Sequence, residues 1–172
     1  MIEVSQTSLP GVLKIKRGAP FIDHRGIYAT IYQKNDYFKN GIMVDFVEQD
    51  FSFSRKNVLR GLHGDDKTYK MVCCPFGAFN LAVVNYDQSS GHFGKWEMFV
   101  VTAENGLQIL IPPKHLNGHL VLSNEGAMFH YNQSEYYSGI KNQWSVRWDD
   151  PRFNISWPIT NPILSDRDGG VK

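Results

Sequence analysis

Residues 69–85 read YKMVCCPFGAFNLAVVN, two short apolar runs separated by the turn-forming sequence Pro75-Phe76-Gly77. Both runs are rich in the β-branched and aromatic residues that favour strands, and helical spacing of apolar positions is hard to find in either. The stretch therefore predicts two β-strands, Tyr69–Cys74 and Ala78–Asn85, with a turn between them.

The two cysteines of the chain, Cys73 and Cys74, are neighbours in the first of these strands. Adjacent residues of a strand point to opposite faces, so a disulfide between them would be strained. We interpret both as small apolar strand residues.

The same pattern of short apolar runs and turn formers extends outward in both directions. Further predicted strands are Val12–Lys16, Ile27–Gln33, Val44–Ser54, Trp96–Val101, Leu107–Ile111, His119–Leu122 and Met128–Tyr136. Asn105-Gly106 is typical of a two-residue type I′ hairpin, which needs positive φ at both positions. Many short strands about ten residues apart predict a sandwich or barrel of jelly-roll type.

Helical patterns are short and occur in two places. One is Lys34–Lys39, and the other lies in the tail after Asn161. The prolines Pro158 and Pro162 exclude regular structure before that tail, since each removes a donor and fixes φ. We expect the tail to wrap around the barrel and to bring Ser165–Asp168 back to it, within one domain that spans residues 1–172.

The charge balance excludes several classes of partner. Lysine and arginine total 18 against 17 aspartate and glutamate, a net charge of +1, while 42% of residues are hydrophobic. This composition supplies a core but no broad basic face for nucleic acid and no polybasic membrane anchor. The first residues do not resemble a signal peptide, and no apolar run approaches the ~20 residues of a membrane span. We therefore expect a cytoplasmic protein.

Candidate chemistry begins with the segment Val58–His63. It places a histidine, which can act as a base at neutral pH, where a strand leaves a turn. Taken alone, a histidine of this kind is more often a structural or surface residue, and Arg60 is more often a surface charge than a phosphate clamp. Lys70 is either a solvated edge residue or an ammonium that points into a barrel, where it would stabilise an enolate oxygen.

Three further segments could also contribute. The proline-stiffened turn from Ile111 to His119 offers two histidines and an asparagine. Strand alternation places Phe129, Tyr131 and Gln133 on one face, and Tyr131 could still be a core or rim aromatic. The tail Ser165–Asp168 could be a solvated charged end.

A metal-binding jelly roll is the main rival interpretation at this point. Such sites usually begin with two histidines separated by one residue, and this chain contains no such pair. Asp65 or Asp66 after His63 could ligate a metal, but the ligand set is incomplete. We therefore expect no catalytic metal.

Several motifs follow one another in a characteristic order. They are Phe21-Ile22-Asp23-His24-Arg25-Gly26, Val58-Leu59-Arg60-Gly61-Leu62-His63, Lys70-Met71-Val72, Phe93-Gly94-Lys95-Trp96, Ile111-Pro112, Tyr136-Tyr137, Trp148-Asp149-Asp150-Pro151 and Leu164-Ser165-Asp166-Arg167-Asp168. In this order, and over nearly the whole chain, the sequence resembles the dTDP-4-dehydrorhamnose 3,5-epimerase family of cupin-like sugar epimerases. The resemblance implies an all-β, cupin-type jelly-roll barrel with short peripheral helices, no cofactor and usually a homodimer.

The resemblance also implies an isomerase that inverts C3, C5 or both in a 4-keto sugar carried on dTDP or GDP. His63 matches the general base, Asp168 the carboxylate that orients it, Tyr131 the acid on the opposite face and Lys70 the residue near the C4 oxygen. The residues expected to contact the substrate are Arg60, Arg25, Asn117, His119, Glu48 and Tyr137. Inversion needs base and acid on opposite faces of the sugar, so this division of roles is chemically sensible.

The sequence departs from the family pattern in three places. The family usually has His-Gly-Phe after the Ile-Pro turn, but here Asn117-Gly118-His119 puts a neutral amide where a titratable ring is usual. Gly64 replaces the tyrosine or phenylalanine common after the base, and Asn85-Tyr86-Asp87 replaces Asp-x-Arg. These changes favour a substrate other than the usual dTDP sugar, such as a GDP-linked 4-keto heptose of capsule or O-antigen biosynthesis.

Two other functions are compatible with the same barrel. A nucleotide-sugar 3,4-ketoisomerase would use similar proton transfers but would move the carbonyl. A non-catalytic sugar-nucleotide-binding barrel would need Arg60 and the aromatic residues, but it need not retain His63, Lys70, Tyr131 and Asp168 together.

Overall fold

The computed structural model describes residues 2–169, and these form two antiparallel sheets, a separate hairpin and short helices. The strands are β1 Glu3–Gln6, β2 Leu13–Lys16, β3 Phe21–Asp23, β4 Gly26–Tyr28, β5 Glu48–Ser54, β6 Leu59–Gly64, β7 Lys70–Phe76, β8 Ala78–Asn85, β9 Trp96–Thr102, β10 Leu107–Ile111, β11 His115–Val121, β12 Ala127–Gln133 and β13 Trp144–Ser145. The helices are α1 Lys34–Lys39 and α2 Asp166–Gly169, with a 3-10 turn at Ile140–Asn142.

The two sheets pack face to face as a jelly-roll barrel, which confirms the predicted all-β fold. One sheet has the strand order β1-β2-β10-β7-β12-β5 and the other β13-β6-β11-β8-β9, while β3 and β4 pair only with each other. The main core includes Val72 and Cys74 from the first sheet and Phe79, Leu81 and Val83 from the second, all buried. Burial of each valine, leucine or phenylalanine side chain stabilises the fold by about 1.5–3 kcal/mol relative to exposure.

The predicted strand Ala78–Asn85 matches β8 exactly, but β7 is shifted relative to its prediction. It runs from Lys70 through Phe76, and the chain then turns at Gly77, where φ is +76°. The turn does not make a hairpin, because β7 and β8 belong to different sheets. A Cβ on Gly77 would lie 2.2 Å from the Gly126 carbonyl oxygen, so only glycine fits this corner.

Alternation along β7 and β12 sorts the inward side chains by depth. Lys70 pairs in register with Gln133 at one end of the barrel, and Val72 pairs with Tyr131 one level deeper. Below them, Cys74 and Phe129 belong to the apolar core. The barrel interior therefore changes from polar at its mouth to apolar at its floor.

Both cysteines are free and buried, as the strand interpretation predicted. Cys74 faces the main core, whereas the Cys73 sulfur lies 3.4 Å from His130 Nδ1 on the other side of the sheet. Burial raises the pKa of Cys73 to about 11 and that of Cys74 to about 12, so both thiols stay protonated at neutral pH.

The tail wraps around the barrel as expected. Ile163 bridges to Val58 in parallel, and its backbone exchanges hydrogen bonds with Asn57 and Leu59 at 2.8 and 3.0 Å. These contacts lead the chain into α2, which ends beside β6. The predicted helix in the tail is confirmed, as is the helix at Lys34–Lys39.

Several local predictions were wrong. Asn105-Gly106 is not a type I′ hairpin: only Gly106 has a positive φ, and the strands that it connects, β9 and β10, lie in different sheets. Instead Asn105 Oδ1 accepts from the backbone of Thr102 and Leu107, which builds an arch between the sheets.

Other strand boundaries also differ from the predictions. The predicted strand Ile27–Gln33 ends at Tyr28, and Val44–Ser54 begins only at Glu48. The predicted strand His119–Leu122 corresponds to the second half of β11, which begins at His115 and ends at Val121, and Met128–Tyr136 ends at Gln133. Within residues 2–169 no helix has the length and apolar character needed to cross a membrane.

Candidate active site

A cavity of about 300 Å³ opens between the two sheets at the polar end of the barrel. It brings together eight of the ten residues that the sequence predicted for the site. Its lining consists of Phe51, Ser52, Arg60, His63, Lys70, Asn117, His119, Phe129, Tyr131, Tyr137, Gln143, Ser165, Arg167 and Asp168. We call the side formed by β6, β11 and α2 the His63 wall, and the side formed by β5, β7 and β12 the Tyr131 wall.

His63 stands on the His63 wall because β6 and β11 approach each other very closely. A Cβ on Gly61 would lie 2.5 Å from the Cα of Gly118, and a Cβ on Gly64 would lie 2.1 Å from the His115 carbonyl oxygen. The contact at Gly64 also explains why a tyrosine or phenylalanine would not fit there. These glycines fix the strand on both sides of His63, whose side chain is 22% exposed.

The imidazole of His63 is tied to the tail of the chain. Its Nε2 lies 2.7 Å from Asp168 Oδ1, and the other carboxylate oxygen accepts the Ser165 hydroxyl at 2.9 Å. Burial acts to raise the pKa of Asp168, but the hydrogen bonds from His63 and Ser165 outweigh it and hold this pKa below its ordinary value. Asp168 is therefore an ionised, buried partner of the histidine.

Two arginines keep α2 and the rim of this wall in place. Arg147 Nη1 donates to the Gly169 carbonyl at 2.6 Å, and Arg167 Nε donates to Ser145 Oγ at 2.8 Å. On β6, Arg60 Nε donates to Ser54 Oγ at 2.9 Å. Arg60 and Arg167 both line the cavity, so two arginine side chains bring positive charge to it.

Asn117 and His119 follow one another on the inward face of β11. Asn117 Nδ2 donates to the His63 carbonyl at 3.0 Å, so this amide supports the backbone of the histidine. His119 stacks on Phe129, with ring centroids 4.1 Å apart and an angle of 8° between planes. Burial, together with the positive charge of Arg60, lowers the pKa of His119 to about 3, so this ring is neutral.

The Nε2 atom of His119 is buried and has no hydrogen-bond partner in the structure. An unsatisfied buried group of this kind costs about 1–3 kcal/mol. His119 therefore carries an unsatisfied polar atom beside the cavity that the residue lines.

The Tyr131 wall carries a phenol and an ammonium group. Tyr131 packs against Phe129, and Lys70 Nζ lies 5.3 Å from the centroid of the Tyr131 ring. Burial lowers the pKa of Lys70, although the nearby carboxylates Asp65 and Asp50 act in the opposite direction. Burial and the negative charge of Asp50 raise the pKa of Tyr131 far above its ordinary value.

Sequence reasoning missed Asp50, which lies directly opposite Tyr131 in the β5–β12 pair. The signal was present, because alternation along β5 gives Asp50, Ser52 and Ser54 one face and the exposed residues Phe51 and Phe53 the other. It also missed the supporting roles of Ser165 and Arg167.

Two predicted substrate contacts lie outside the cavity lining. Glu48 sits beside it and accepts Gln133 Nε2 at 2.6 Å and the Tyr137 backbone N–H at 3.2 Å. Arg25 lies at the turn of the β3–β4 hairpin, where it forms an ion pair with Asp23 and its side chain is 75% exposed.

The donor set of the cavity suits proton transfer better than metal binding. Residues 2–169 contain no group of three or more His, Cys, Asp or Glu side chains arranged to hold a metal ion. The cavity instead has an imidazole–carboxylate pair on one wall and a phenol beside an ammonium on the other. A ligand between the walls would meet a base and an acid from opposite sides.

Known proteins share both the sequence and the fold. The family model of dTDP-4-dehydrorhamnose 3,5-epimerase matches residues 6–172. A dTDP-4-dehydrorhamnose 3,5-epimerase of Shigella flexneri is 37% identical over 171 residues, covering 97% of this chain and 93% of the relative.

Two solved structures extend the comparison. A dTDP-6-deoxy-D-glucose-3,5-epimerase of Legionella pneumophila in complex with dTDP-4-keto-L-rhamnose has a TM-score of 0.90 at 30% identity, covering 99% of this chain and 91% of that one. A 3′-monoepimerase of Streptomyces bikiniensis in complex with dTDP-quinovose has a TM-score of 0.83 at 27% identity, covering 95% and 84%. Enzymes named for inverting two centres and for inverting one therefore share this fold.

Proposed function

Since the chain belongs to the dTDP-4-dehydrorhamnose 3,5-epimerase family and is an epimerase of a 4-keto nucleotide sugar, we propose that it inverts C3, C5 or both by proton transfer between His63 and Tyr131. The observation that carries this proposal is the placement of a carboxylate-paired imidazole and a phenol on opposite walls of one cavity. Such a pair removes a proton from one face of a ring and returns one to the other.

His63 acts first. Its Nε2–H donates to Asp168, which leaves the Nδ1 lone pair to take the proton next to the C4 ketone. The C–H bond breaks, an N–H bond forms, and the electron pair moves onto the C4 oxygen as an enolate. Asp168, ionised and buried, stabilises the imidazolium that results.

Lys70 stabilises the enolate. Its ammonium is buried in the wall of the cavity, where a fixed positive charge acts through little water and needs no reorganisation. Tyr131 then protonates the carbon from the other wall, which inverts the centre. His119 lines the same cavity and stacks on Phe129, so it shapes the pocket for the sugar.

The diphosphate and the nucleobase of the substrate bind toward the rim of the cavity. Arg60 and Arg167 supply positive charge for the diphosphate, and guanidinium groups suit phosphate oxygens geometrically. Tyr137, half exposed at the same rim, offers a ring face for the nucleobase.

The experiment that tests this proposal is incubation with 4-keto-6-deoxy sugars on dTDP and GDP in D2O. We expect one deuteron per inverted centre, and a loss of at least about 10²-fold in exchange for His63→Asn. A carbonyl that moves to C3 would identify a 3,4-ketoisomerase instead. Exchange that persists undiminished in His63→Asn would contradict the mechanism.

The natural sugar is part of the proposal. Asn117 cannot titrate, and it is engaged by the His63 backbone, so it supplies no second acid or base. The imidazole of His119 lies two residues beyond the position where the family usually has its histidine. Both differences support a substrate other than the usual dTDP hexose, such as a GDP-linked 4-keto heptose. Such a sugar would belong to capsule or O-antigen biosynthesis in the cytoplasm. Comparing kcat/KM across dTDP and GDP, hexose and heptose substrates tests this preference.

We also propose that the enzyme is a homodimer. The β3–β4 hairpin exposes Phe21, Ile22, Ile27 and Tyr28 by 60–73%, and Phe51 is 65% exposed on edge strand β5. Exposed apolar clusters and unpaired edges favour association. In such a dimer, the hairpin of one copy would carry Arg25 toward the cavity of the other. Sedimentation equilibrium of the full chain tests this assembly.

A further inference from the structure

Asp50 is the carboxylate closest in register to the catalytic phenol. In the antiparallel pair of β5 and β12 it stands directly opposite Tyr131, and Glu48 stands opposite Gln133. Residues opposite each other have Cβ atoms about 4.5–5.5 Å apart, which places their side chains together on the inward face. The Asp50 carboxylate and the Tyr131 hydroxyl accordingly interact, each affecting the protonation of the other.

The surroundings of Asp50 hold it in this position. Gln133 Nε2 donates to Glu48 at 2.6 Å and also reaches Asp50 Oδ2 at 3.5 Å. The other charged or titratable groups that act on Asp50 or are influenced by it are Lys70 of β7 and His130 of β12. Two carboxylates therefore flank one phenol, with one ammonium nearby.

This arrangement creates a difficulty for turnover. When Tyr131 gives its proton to carbon, it becomes a phenolate in a partly buried site beside two carboxylates. Burial and the charge of Asp50 raise the pKa of Tyr131, so the phenolate is strongly disfavoured. It must be reprotonated before the enzyme can act on a second centre or a second molecule.

The same surroundings make Asp50 easier to protonate than an ordinary aspartate. Burial and the negative charge of Glu48 raise the pKa of Asp50 above its ordinary value, although the hydrogen bond from Tyr131 and the charge of Lys70 act in the opposite direction. A carboxylic acid group beside the hydroxyl would be a direct proton donor to the phenolate, and Asp50 is half-buried, so water can reach it afterwards.

We propose that Asp50 is the proton relay that resupplies Tyr131, a role that rests on the proposed epimerase function. As the Tyr131 O–H bond breaks and the C–H bond forms, the Asp50 O–H bond breaks and a new Tyr131 O–H bond forms. Solvent returns a proton to Asp50, and the proton on His63 leaves to solvent, so protons balance over the cycle. Asp50 acts through Tyr131 and does not touch the reacting carbon, so it is a positioning residue.

The test separates exchange from inversion in D2O. His63 alone can remove a proton and return a deuteron to the same face, whereas inversion needs Tyr131 in its protonated form. For Asp50→Asn we expect steady-state inversion to fall about tenfold or more, while exchange without inversion is retained. Asp50→Glu should restore much of the inversion, and Glu125→Gln, an exposed carboxylate at the turn before β12, serves as the matched control.

The pH profile adds a readout that a purely structural role would not change. In the wild-type enzyme the ratio of inversion to exchange should fall as rising pH deprotonates Asp50, and in Asp50→Asn this limb should disappear. An unchanged ratio in Asp50→Asn would overturn the relay. Absence of exchange in the wild type with every substrate would instead contradict the proposed function itself.

Discussion

The His63 wall and the Tyr131 wall face each other across the same cavity, but their carboxylates have different partners. On the His63 wall one carboxylate, Asp168, meets one imidazole and one hydroxyl at hydrogen-bonding distance. On the Tyr131 wall the carboxylates Glu48 and Asp50 share the side-chain amide donor of Gln133, beside a buried ammonium. The first wall stabilises a charge that appears during the reaction, and the second makes a charge on its phenol costly. A base that must hold a proton and an acid that must stay protonated need these two environments.

The largest effect that would separate the walls is expected from Tyr131→Phe. Removing the hydroxyl leaves His63, Asp168 and Lys70 in place, so proton removal and enolate formation continue. We expect inversion to fall by about 10²–10⁴-fold while deuterium exchange at the same carbon persists. Proton NMR in D2O measures both rates in one sample. Parallel loss of exchange and inversion would show that the walls do not act independently.

A smaller effect on activity is expected from Lys70→Met, which removes the only ammonium on the described lining of the cavity. Loss of the oxyanion partner should lower exchange and inversion together by about 10²–10³-fold. Because burial lowers the pKa of Lys70, the folded protein binds this proton less tightly than the unfolded chain. Stability should therefore rise with pH between the lowered pKa and the ordinary one, and Met should remove this dependence.

The same variant should be more stable at neutral pH, by about 1 kcal/mol, since the cost of burying a charge disappears. Urea unfolding at pH 7 and pH 10 measures both effects. A Lys70→Met variant that is inactive and also less stable would show that the ammonium holds the Tyr131 wall together.

The last effect, on stability rather than activity, is expected for Asp168→Asn. The native pKa of Asp168 is lowered, so its stabilisation is present above the unfolded pKa of about 4 and is lost as the pH falls through the native value. We expect the variant to lose about 1–2 kcal/mol at pH 7, and the difference from the wild type to shrink toward pH 3. Urea midpoints across this range provide the measurement. A difference that does not depend on pH would mean that packing, rather than charge, is lost.

Much of the fold could be predicted because it depends on local patterns. β8 and α1 have the predicted boundaries, and the order of short strands gave the jelly roll. The hairpin predicted at Asn105-Gly106 was wrong because a turn sequence does not determine whether the strands on either side belong to the same sheet. β6 was not predicted as a strand, since its glycines Gly61 and Gly64 are selected by the close approach of β11 rather than by strand preference.

The residues of the site could be predicted where the family resemblance assigned them roles. They were harder to predict where the three-dimensional arrangement of strands decides which residues meet. Asp168 reaches His63 across 105 positions of sequence, a pairing that no local pattern encodes. Asp50 could have been found by pairing the inward face of β5 with that of β12, but this requires knowing that the two strands are neighbours. Arg25 lies outside the cavity lining, on the β3–β4 hairpin, which sequence order alone could not reveal.

The inward side chains of β7 and β12 change from polar at the mouth of the barrel to apolar at its floor, and this order affects which positions can vary among related enzymes. Lys70 and Gln133 lie at the mouth, Val72 and Tyr131 one level down, and Cys74 and Phe129 at the floor. Successive levels are two residues apart on stiff strands, so a substitution at one level leaves the next in place. Exposed rim residues such as Tyr137 can therefore change toward new sugars and nucleotides, while Lys70, Tyr131 and the core below them maintain the reaction and the fold.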